Sequence, residues 1–290
     1  MSTPSPSPAS ASAPQKRTLT LDNPYGPLVV DVWEPSQAAD RLPILLVHGW
    51  GSSGSYWQTT AKALAQTSPV IVPDLLGSGR SQPVRQPRNM FDQVASIKFI
   101  LDQLEIEQAQ VIGHSMGGAM ALLLAEAQPE RIDRLILTSL CFFMTETEEQ
   151  IFKAAMFMFK LSLGFRHTRL ASLPIFSRMM ANRYFYRLPK DNKLVEQGFI
   201  DYLELDAATA VACAKNATDP AIEAAGANVQ APTLLIACRQ DQVMPVANVD
   251  YTAKVIPDCQ VHWIDKCGHL PMVEKPREYL AIVREFLRLD

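Results

Sequence analysis

The sequence predicts an α/β fold with a mostly parallel, doubly wound sheet and a helical cap inserted between two of its strands. Short apolar runs alternate with amphipathic segments of helical spacing up to residue 140 and again after residue 225. Such alternation requires right-handed crossovers and a parallel sheet covered on both faces. The alternation stops over residues 141–225, which lack a clear strand, and the motif G-x-S-x-G (residues 113–117) stands between a strand and a helix.

The N-terminal segment MSTPSPSPASASAP consists almost wholly of Ser, Pro, Ala and Thr, so we predict a disordered tail over residues 1–16. It lacks the apolar core of a secretory signal, although a serine-rich, acid-free start before Lys16 and Arg17 leaves an organellar transit peptide as an alternative. The next segments, RTLTLD and PLVVDVWE, alternate apolar and polar residues around Asn23 and Gly26. This pattern predicts an antiparallel hairpin of edge strands.

We predict a core formed by residues 17–140 and 226–290, with the cap at residues 141–225. The predicted core strands after the hairpin are PILLVHG, PVIVPD, AQVIGHS, RIDRLILTSL, TLLIAC and VHWI. Their continuous apolar runs are typical of strands buried on both faces. The predicted core helices are SYWQTTAKALAQ, FDQVASIKFILDQL, AMALLLAEA, VANVDYTAKVI and REYLAIVREFLRL.

Composition limits the class of protein. The chain has 290 residues, of which 48% are hydrophobic and 20% charged, and its net charge of -3 gives no reason to expect a nucleic-acid partner. It has no run of 18 apolar residues, so no transmembrane helix is expected. The five cysteines are scattered and form no C-x-x-C pair. This pattern favours free thiols in the cytoplasm over disulfides or a structural metal.

The G-x-S-x-G motif is typical of a nucleophile elbow, because it follows an apolar strand and precedes an alanine- and leucine-rich helix. An elbow holds its serine in a sparsely populated backbone conformation, and Gly113 and Gly117 allow close chain approach on either side. The turn exposes the hydroxyl of Ser115 and places the N–H of Met116 at a helix N-terminus, where developing negative charge is favoured.

Five motifs stand in order along the chain: HGWG (48–51), DLLGSGRS (74–81), GHSMGG (113–118), DQVMP (241–245) and CGH (267–269). With them, the chain from Leu19 to its end resembles the α/β-hydrolase fold family with a helical cap. The resemblance implies that the HGWG loop supplies an oxyanion-hole donor, the N–H of Trp50, besides that of Met116. One departure is Ser78, where many members have histidine; we interpret it as a loop variation without catalytic consequence.

A serine nucleophile needs a neighbouring base and an acid that orients the base, and this fold has them in the order Ser, acid, His. Among the histidines, only His269 stands in a loop after the last strand, at the sheet edge expected for Ser115. The other histidines are less suitable. His114 stands at the elbow and points away from the face of the nucleophile, and His48 ends a buried strand. His167 is in the cap, and His262 is inside a strand.

Asp241 is the predicted acid, because it follows the strand TLLIAC at the same sheet edge. Asp265 is close to His269 in sequence, and Asp219 stands near the end of the cap. Asp74 also ends a strand, but its glycine-rich surroundings suggest that it holds its own loop. A solvated surface carboxylate is the alternative for each rival.

These residues predict acyl transfer through a covalent acyl-Ser115 intermediate that water hydrolyses, with no cofactor. Ser115 argues against members of the family that use an aspartate nucleophile. The first hypothesis is a carboxylic-ester hydrolase. The alternatives are a thioesterase acting on acyl carriers, cleavage of a carbon–carbon bond beside a carbonyl, and a slow-turnover, hormone-receptor-like binding module.

Residues 151–190 of the cap are basic and apolar at once. They contain no Asp or Glu, and their basic residues are Lys153, Lys160, Arg166, Arg169, Arg178, Arg183, Arg187 and Lys190. Their larger apolar residues include Phe152, Met156, Phe157, Met158, Phe159, Leu161, Phe165, Phe176, Met179 and Met180. One interpretation has the apolar side chains line an acyl pocket while the charges are solvated. A second adds weak contact between the cap and anionic membranes. Both imply a lipid-like acyl group.

Overall fold

A computed structural model describes residues 13–35, 40–164, 178, 181–189 and 192–289; for residues 159–164 and 192 it describes the backbone alone. Most of the predicted tail lies outside these ranges, as do His167 and the cap residues Phe165, Arg166, Arg169, Phe176, Met179, Met180 and Lys190. Within the described ranges, no helix is both long and apolar enough to cross a membrane.

An eight-stranded sheet forms the centre of the molecule, in the order β1-β2-β4-β3-β5-β6-β7-β8. The strands are β1 Gln15–Asn23, β2 Gly26–Glu34, β3 Ile44–Val47, β4 Val70–Pro73, β5 Ala109–His114, β6 Ile132–Thr138, β7 Thr233–Cys238 and β8 Cys259–Ile264. β1 pairs with β2 and β2 with β4 in antiparallel register, whereas all other pairs are parallel. The predicted fold class is therefore confirmed, with the hairpin at one edge.

Helices cover both faces of this sheet. Over the described residues, the helices of the body and of the insertion are α1 Gln58–Leu64, α2 Met90–Gln103, α3 Met116–Ala127, α4 Glu146–Gly164, α5 Asn192–Glu204, α6 Ala207–Lys215, α7 Pro220–Asn228, α8 Val249–Val255, α9 Pro271–Glu274 and α10 Pro276–Leu287. Short 3₁₀ turns lie at Gly54–Trp57, Pro129–Arg131 and Val246–Asn248. Leu45 and Val47 of β3 pack under α2 and α3, and Ile44 and Leu46 pack under α1 and α10. This alternation explains why the strand is a continuous apolar run.

Two boundaries differ from the predicted division of the chain. β1 begins at Gln15, so the chain enters the sheet two residues before the predicted core. Between β6 and β7, the described residues form α4, a helical stretch at residues 181–184, α5, α6 and α7. Helix α7 runs across the predicted cap boundary at residue 225, and its Ile222 and Ala225 belong to the same buried cluster as α3. The last part of the insertion therefore packs into the body.

Candidate active site

Ser115 lies at the turn between β5 and α3 with φ of 53°, a conformation that costs energy for a residue with a side chain. The turn is tight on both sides. A Cβ at Gly113 would lie 2.6 Å from the Cα of Gly118, and one at Gly117 would lie 2.5 Å from the carbonyl oxygen of His48. Both motif positions therefore require glycine for steric reasons. The N–H of Ser115 donates to the carbonyl of Thr138 at 2.8 Å, which ties the turn to β6.

The HGWG loop lies directly against this turn. A Cβ at Gly49 would stand 3.3 Å from the Cβ of Ser115. His48 is buried and braces the loop: its Nδ1–H donates to the carbonyl of Gly49 at 2.9 Å, and its Nε2 accepts from the N–H of Leu75 at 3.0 Å. Burial lowers the pKa of His48, which keeps the ring neutral in this role. The indole N–H of Trp50 donates to the carbonyl of Ala210 in α6 at 2.8 Å.

His269 and Asp241 form a buried pair. His269 Nδ1 lies 2.7 Å from Asp241 Oδ2, and each side chain is 3% exposed. The other carboxylate oxygen of Asp241 accepts from the N–H groups of Val243 and Met244 at 2.7 and 3.1 Å. Burial would raise the pKa of Asp241, but the charge of His269, its ring hydrogen bond and the two amide donors hold that pKa below its ordinary value. Asp241 is therefore an ionised acceptor that fixes the His269 ring.

The rival carboxylates have other partners. Asp265 is 82% exposed, with Arg239 at 3.9 Å. Asp219 caps α7 by accepting from the N–H of Ala221 at 3.0 Å. Asp74 accepts from the N–H groups of Gly54 and Arg80 at 2.8 and 3.0 Å and pairs with the Arg80 side chain, so it holds its own loop as predicted.

The rival histidines that the structure describes also have other roles. His262 is exposed on β8. His114 is buried, with its ring bonded to the hydroxyl of Tyr56 and to the backbone carbonyl of His269 rather than to a carboxylate.

A cavity of about 910 Å³ connects these groups, and Trp50, Ser115, Met116 and His269 all line it. Its volume is at the upper end of the roughly 300–1,000 Å³ usual for small-molecule sites. Apolar side chains from the body and the insertion form most of its described wall, among them Met90, Leu140, Phe142, Phe152, Met156, Phe199, Ile222 and Leu270. The structure thus brings four of the five predicted site residues to one cavity and places Asp241 behind His269.

Two sets of contacts between the insertion and the site were not predicted. The buried carboxylate of Asp201 in α5 accepts from the hydroxyls of Ser53 and Ser55 at 2.6 and 2.7 Å. The carbonyl of Tyr184 accepts from the N–H of His269 at 2.7 Å. Glu274 accepts from the N–H of Gly268 at 2.9 Å and from two amides that follow Tyr184. Asp201, Tyr184 and Glu274 lie in no motif and at no recognisable spacing, so no sequence signal marks them.

Comparison with known proteins agrees with this geometry. The family model for the alpha/beta hydrolase fold matches residues 43–276. A 2-hydroxymuconate semialdehyde hydrolase of Pseudomonas sp. (strain CF600) is 31% identical over 255 residues, which cover 85% of this chain and 87% of that protein. The solved structures that match most of the chain include two esterases. A thermophilic esterase from Thermogutta terrifontis has a TM-score of 0.72 at 23% identity, covering 94% of this chain and 98% of its own.

The second is an esterase from Exiguobacterium antarcticum, with a TM-score of 0.76 at 15% identity, covering 91% of this chain and 96% of its own. At these identities the two structures establish the fold and leave the substrate open. The family match and the 31% identical relative show that this chain belongs to the alpha/beta-hydrolase fold family and is a hydrolase.

Proposed function

We propose that the protein is a serine hydrolase that cleaves a carboxylic ester with an apolar acyl group. Ser115 is the nucleophile, His269 the general base and Asp241 the acid that orients it. The observation that carries the proposal is the 2.7 Å bond from His269 Nδ1 to Asp241, because it leaves Nε2 for proton exchange beside a serine held at positive φ.

In the proposed reaction, Ser115 Oγ attacks the acyl carbon while its proton passes to His269 Nε2. The carbonyl oxygen becomes an oxyanion, which the N–H groups of Met116 and Trp50 stabilise; each such donor is typically worth roughly 100- to 1000-fold in rate. His269 then protonates the departing alkoxide as the carbon–oxygen bond breaks, leaving acyl-Ser115. Water, deprotonated by His269, attacks this ester. His269 then returns that proton to the departing Ser115 Oγ, which releases the acid and restores the Ser115 hydroxyl. The residues of the chain supply every catalytic group in this reaction, and the ester and water are its reactants.

The cavity favours an apolar acyl group. Phe152 and Met156 of α4 and Phe199 of α5 line it together with body residues, so an acyl chain there leaves water for an apolar surface. Each buried methylene contributes about 0.8 kcal/mol. Longer acyl chains should therefore bind more tightly until the cavity is filled.

A second candidate substrate is 2-hydroxymuconate semialdehyde, because the 31% identical relative is named for it. Hydrolysis of this compound would be the cleavage of a carbon–carbon bond beside a carbonyl, which is one of the alternatives to ester hydrolysis. That compound carries a carboxylate, and two described cations, Lys153 and Arg183, line the cavity. Lys153 is already paired with Glu149 at 3.0 Å, and the wall is otherwise mostly apolar. We therefore rank the neutral ester first.

The test is turnover of a substrate panel by the purified protein, with Ser115→Ala as the control. The panel contains acyl esters of increasing chain length, the matching thioesters, and 2-hydroxymuconate semialdehyde. The proposal expects kcat/KM to rise with chain length and to be highest for esters. Higher kcat/KM on thioesters or on the semialdehyde would replace the ester assignment. Tight ester binding with negligible turnover would instead indicate a receptor-like module.

We also propose weak contact between the cap and anionic membrane lipid, with apolar side chains of α4 in the contact. Ile151, Phe157 and Met158 on this helix are 66%, 57% and 64% exposed, although Phe152 and Met156 beside them line the cavity. These side chains belong to the basic stretch of residues 151–190, which complements a negatively charged lipid surface. Such contact would place the cavity wall next to a lipid substrate.

We also propose a cytoplasmic location for the protein, which its five free cysteines support.

A further inference from the structure

A chain of hydrogen bonds runs beside Ser115 and joins the HGWG loop to the loop of His269. The N–H of Gly49 bonds to the hydroxyl oxygen of Tyr56 at 2.7 Å, and this hydroxyl lies 2.9 Å from Nδ1 of His114. Nε2 of His114 lies 2.9 Å from the carbonyl oxygen of His269. Gly49 directly precedes Trp50, and His114 directly precedes Ser115. The hydrogen bonds therefore involve the neighbours of two proposed site residues and the backbone of a third, His269.

The chemistry of the groups fixes the direction of each bond. Burial first, and the nearby His269 second, lower the pKa of His114 to about 3, so its ring is neutral and carries one N–H. The carbonyl of His269 can only accept, which places this hydrogen on Nε2. Nδ1 is therefore an acceptor, and Tyr56 donates its hydroxyl hydrogen to it while accepting from Gly49. In this row of hydrogen bonds, each donor and each acceptor is used once.

Packing leaves these groups little freedom to move. The His114 ring lies 4.8 Å from the His269 ring and 5.4 Å from the Tyr56 ring, centroid to centroid. His114 is 3% exposed, and a Cβ at Gly49 would lie 3.0 Å from its Nδ1. A shift of the HGWG loop or of the His269 backbone would therefore break a hydrogen bond and leave the buried His114 ring with an unpaired polar atom, which costs free energy.

We infer that Tyr56 and His114 are positioning residues, which hold the Trp50 amide and the His269 ring at fixed places on either side of Ser115. The inference rests on the proposed function. Neither residue is required to exchange a proton with substrate. Their role is geometric, because displacements of about 1 Å in a catalytic group can reduce the rate by about 100-fold.

Three variants test separately the hydrogen bond between Tyr56 and His114 and the hydrogen bond between His114 and His269. Tyr56→Phe removes the hydroxyl and keeps the ring. His114→Gln keeps a donor near the Nε2 position for the His269 carbonyl but offers no acceptor near the Nδ1 position. His114→Asn does the reverse, since its amide oxygen can accept from Tyr56 but its side chain is too short to reach His269.

The readouts are kcat and KM on an ester, and the rate at which a fluorophosphonate labels Ser115. We expect Tyr56→Phe and His114→Gln each to reduce kcat and the labelling rate by about 10- to 100-fold, with KM within about threefold of wild type. Because both remove the same bond, their double variant should be no slower than the slower single one. Tyr56→Phe combined with His114→Asn removes separate bonds, so those losses should multiply.

Ser96→Ala is the matched control, because it removes a buried hydroxyl bonded to the carbonyl of Asp92 in α2 and does not line the cavity. A wild-type labelling rate in folded Tyr56→Phe would overturn the inference, as would losses confined to KM or a multiplicative Tyr56→Phe/His114→Gln double. If the His114 variants fail to fold, the inference is tested by the kcat of Tyr56→Phe compared with that of Ser96→Ala. A wild-type protein that is not labelled at Ser115 would overturn the proposed function, and the inference with it.

Discussion

At the scale of single residues, Asp241 and Asp265 provide a matched comparison between two carboxylates near His269. Asp241 is buried against the imidazole, whereas Asp265 faces solvent beside Arg239. In the proposed mechanism this burial is useful, because an ionised acceptor in a low-dielectric site favours the imidazolium that would form when His269 takes a proton. An exposed carboxylate at the Asp265 position would be screened by water and ions.

Asp241→Asn should therefore reduce kcat by about 10⁴-fold, because an amide can hold His269 in the wrong tautomer and does not stabilise its charged form. Asp265→Asn should change kcat by less than about twofold, since surface pairs contribute little. Steady-state kinetics on one ester, with circular dichroism to confirm folding, measures both effects. If Asp265→Asn proves the more damaging change, the assignment of the acid is wrong.

Variants of Trp50 test whether the second oxyanion-hole donor is a main-chain N–H. Trp50→Phe keeps the backbone N–H but loses the indole bond to Ala210, so most of kcat should remain while acyl preference changes. Trp50→Pro removes the N–H and should reduce kcat by roughly 100-fold or more. Chain-length profiles of both variants give the answer. Wild-type kcat in a folded Trp50→Pro protein would place the second donor elsewhere.

At the scale of elements, the insertion is attached to the body in two ways. Helix α5 is fixed by the buried bonds from Ser53 and Ser55 to Asp201, and α6 by the bond from Trp50 to Ala210. Helix α4, in contrast, presents Phe152 and Met156 to the cavity and leaves Ile151, Phe157 and Met158 exposed. An apolar surface on a cavity wall suits contact with the lipid from which a substrate would come.

We expect the protein to co-sediment with anionic lipid vesicles at low salt and to be released as ionic strength rises, because screening weakens the charge contribution. Replacing Ile151, Phe157 and Met158 by Ser should reduce binding several-fold, since each apolar side chain leaves water on contact. Phe91→Ser on α2 is the control, because Phe91 is also exposed, at 39%, but belongs to the body.

Reversing the charge of Arg183 and Arg187, which are exposed, should weaken binding to anionic vesicles as well. Equal absence of binding to anionic and neutral vesicles would remove the membrane role. Unchanged activity on vesicle substrates after these charge reversals would remove it too. The proposed role of the α4 side chains in lining an acyl pocket would then remain.

At the scale of the whole molecule, the buried His114 makes stability depend on pH. Its pKa is about 3 in the folded chain and ordinarily 6.5, so between these values the unfolded chain binds a proton that the folded chain does not. The free energy of unfolding therefore falls as the pH decreases through this window. His114→Gln removes one such proton and should reduce the slope by about 1.4 kcal/mol per pH unit.

Denaturant unfolding of wild type and His114→Gln at several pH values between about 6.5 and 3 measures this slope. His262→Gln is the control, since that histidine is exposed on β8. An unchanged slope in His114→Gln would mean that His114 is not held neutral by burial.

Much of this fold could be predicted from the sequence, because strands buried on both faces appear as continuous apolar runs and a nucleophile elbow requires glycine on both sides. The structure places Ser115, Asp241 and His269 near one another because each follows a parallel strand that ends at the same edge. The order of the strands, with β4 outside β3, depends on pairings that no local pattern reveals. Likewise, Asp201 lies 148 residues from Ser53, and only the folded chain brings them together.

The most direct test of the central claim is fluorophosphonate labelling, mapped by mass spectrometry, alongside ester turnover by wild type, Ser115→Ala, His269→Ala and their double variant. We predict one phosphonyl group on Ser115, with loss of turnover in parallel with labelling. Each single variant should reduce kcat by on the order of 10⁵ to 10⁶, and the double variant should be little worse, because the two residues act as one unit. Labelling at another residue, turnover retained by Ser115→Ala, or losses that multiply in the double variant would contradict the account.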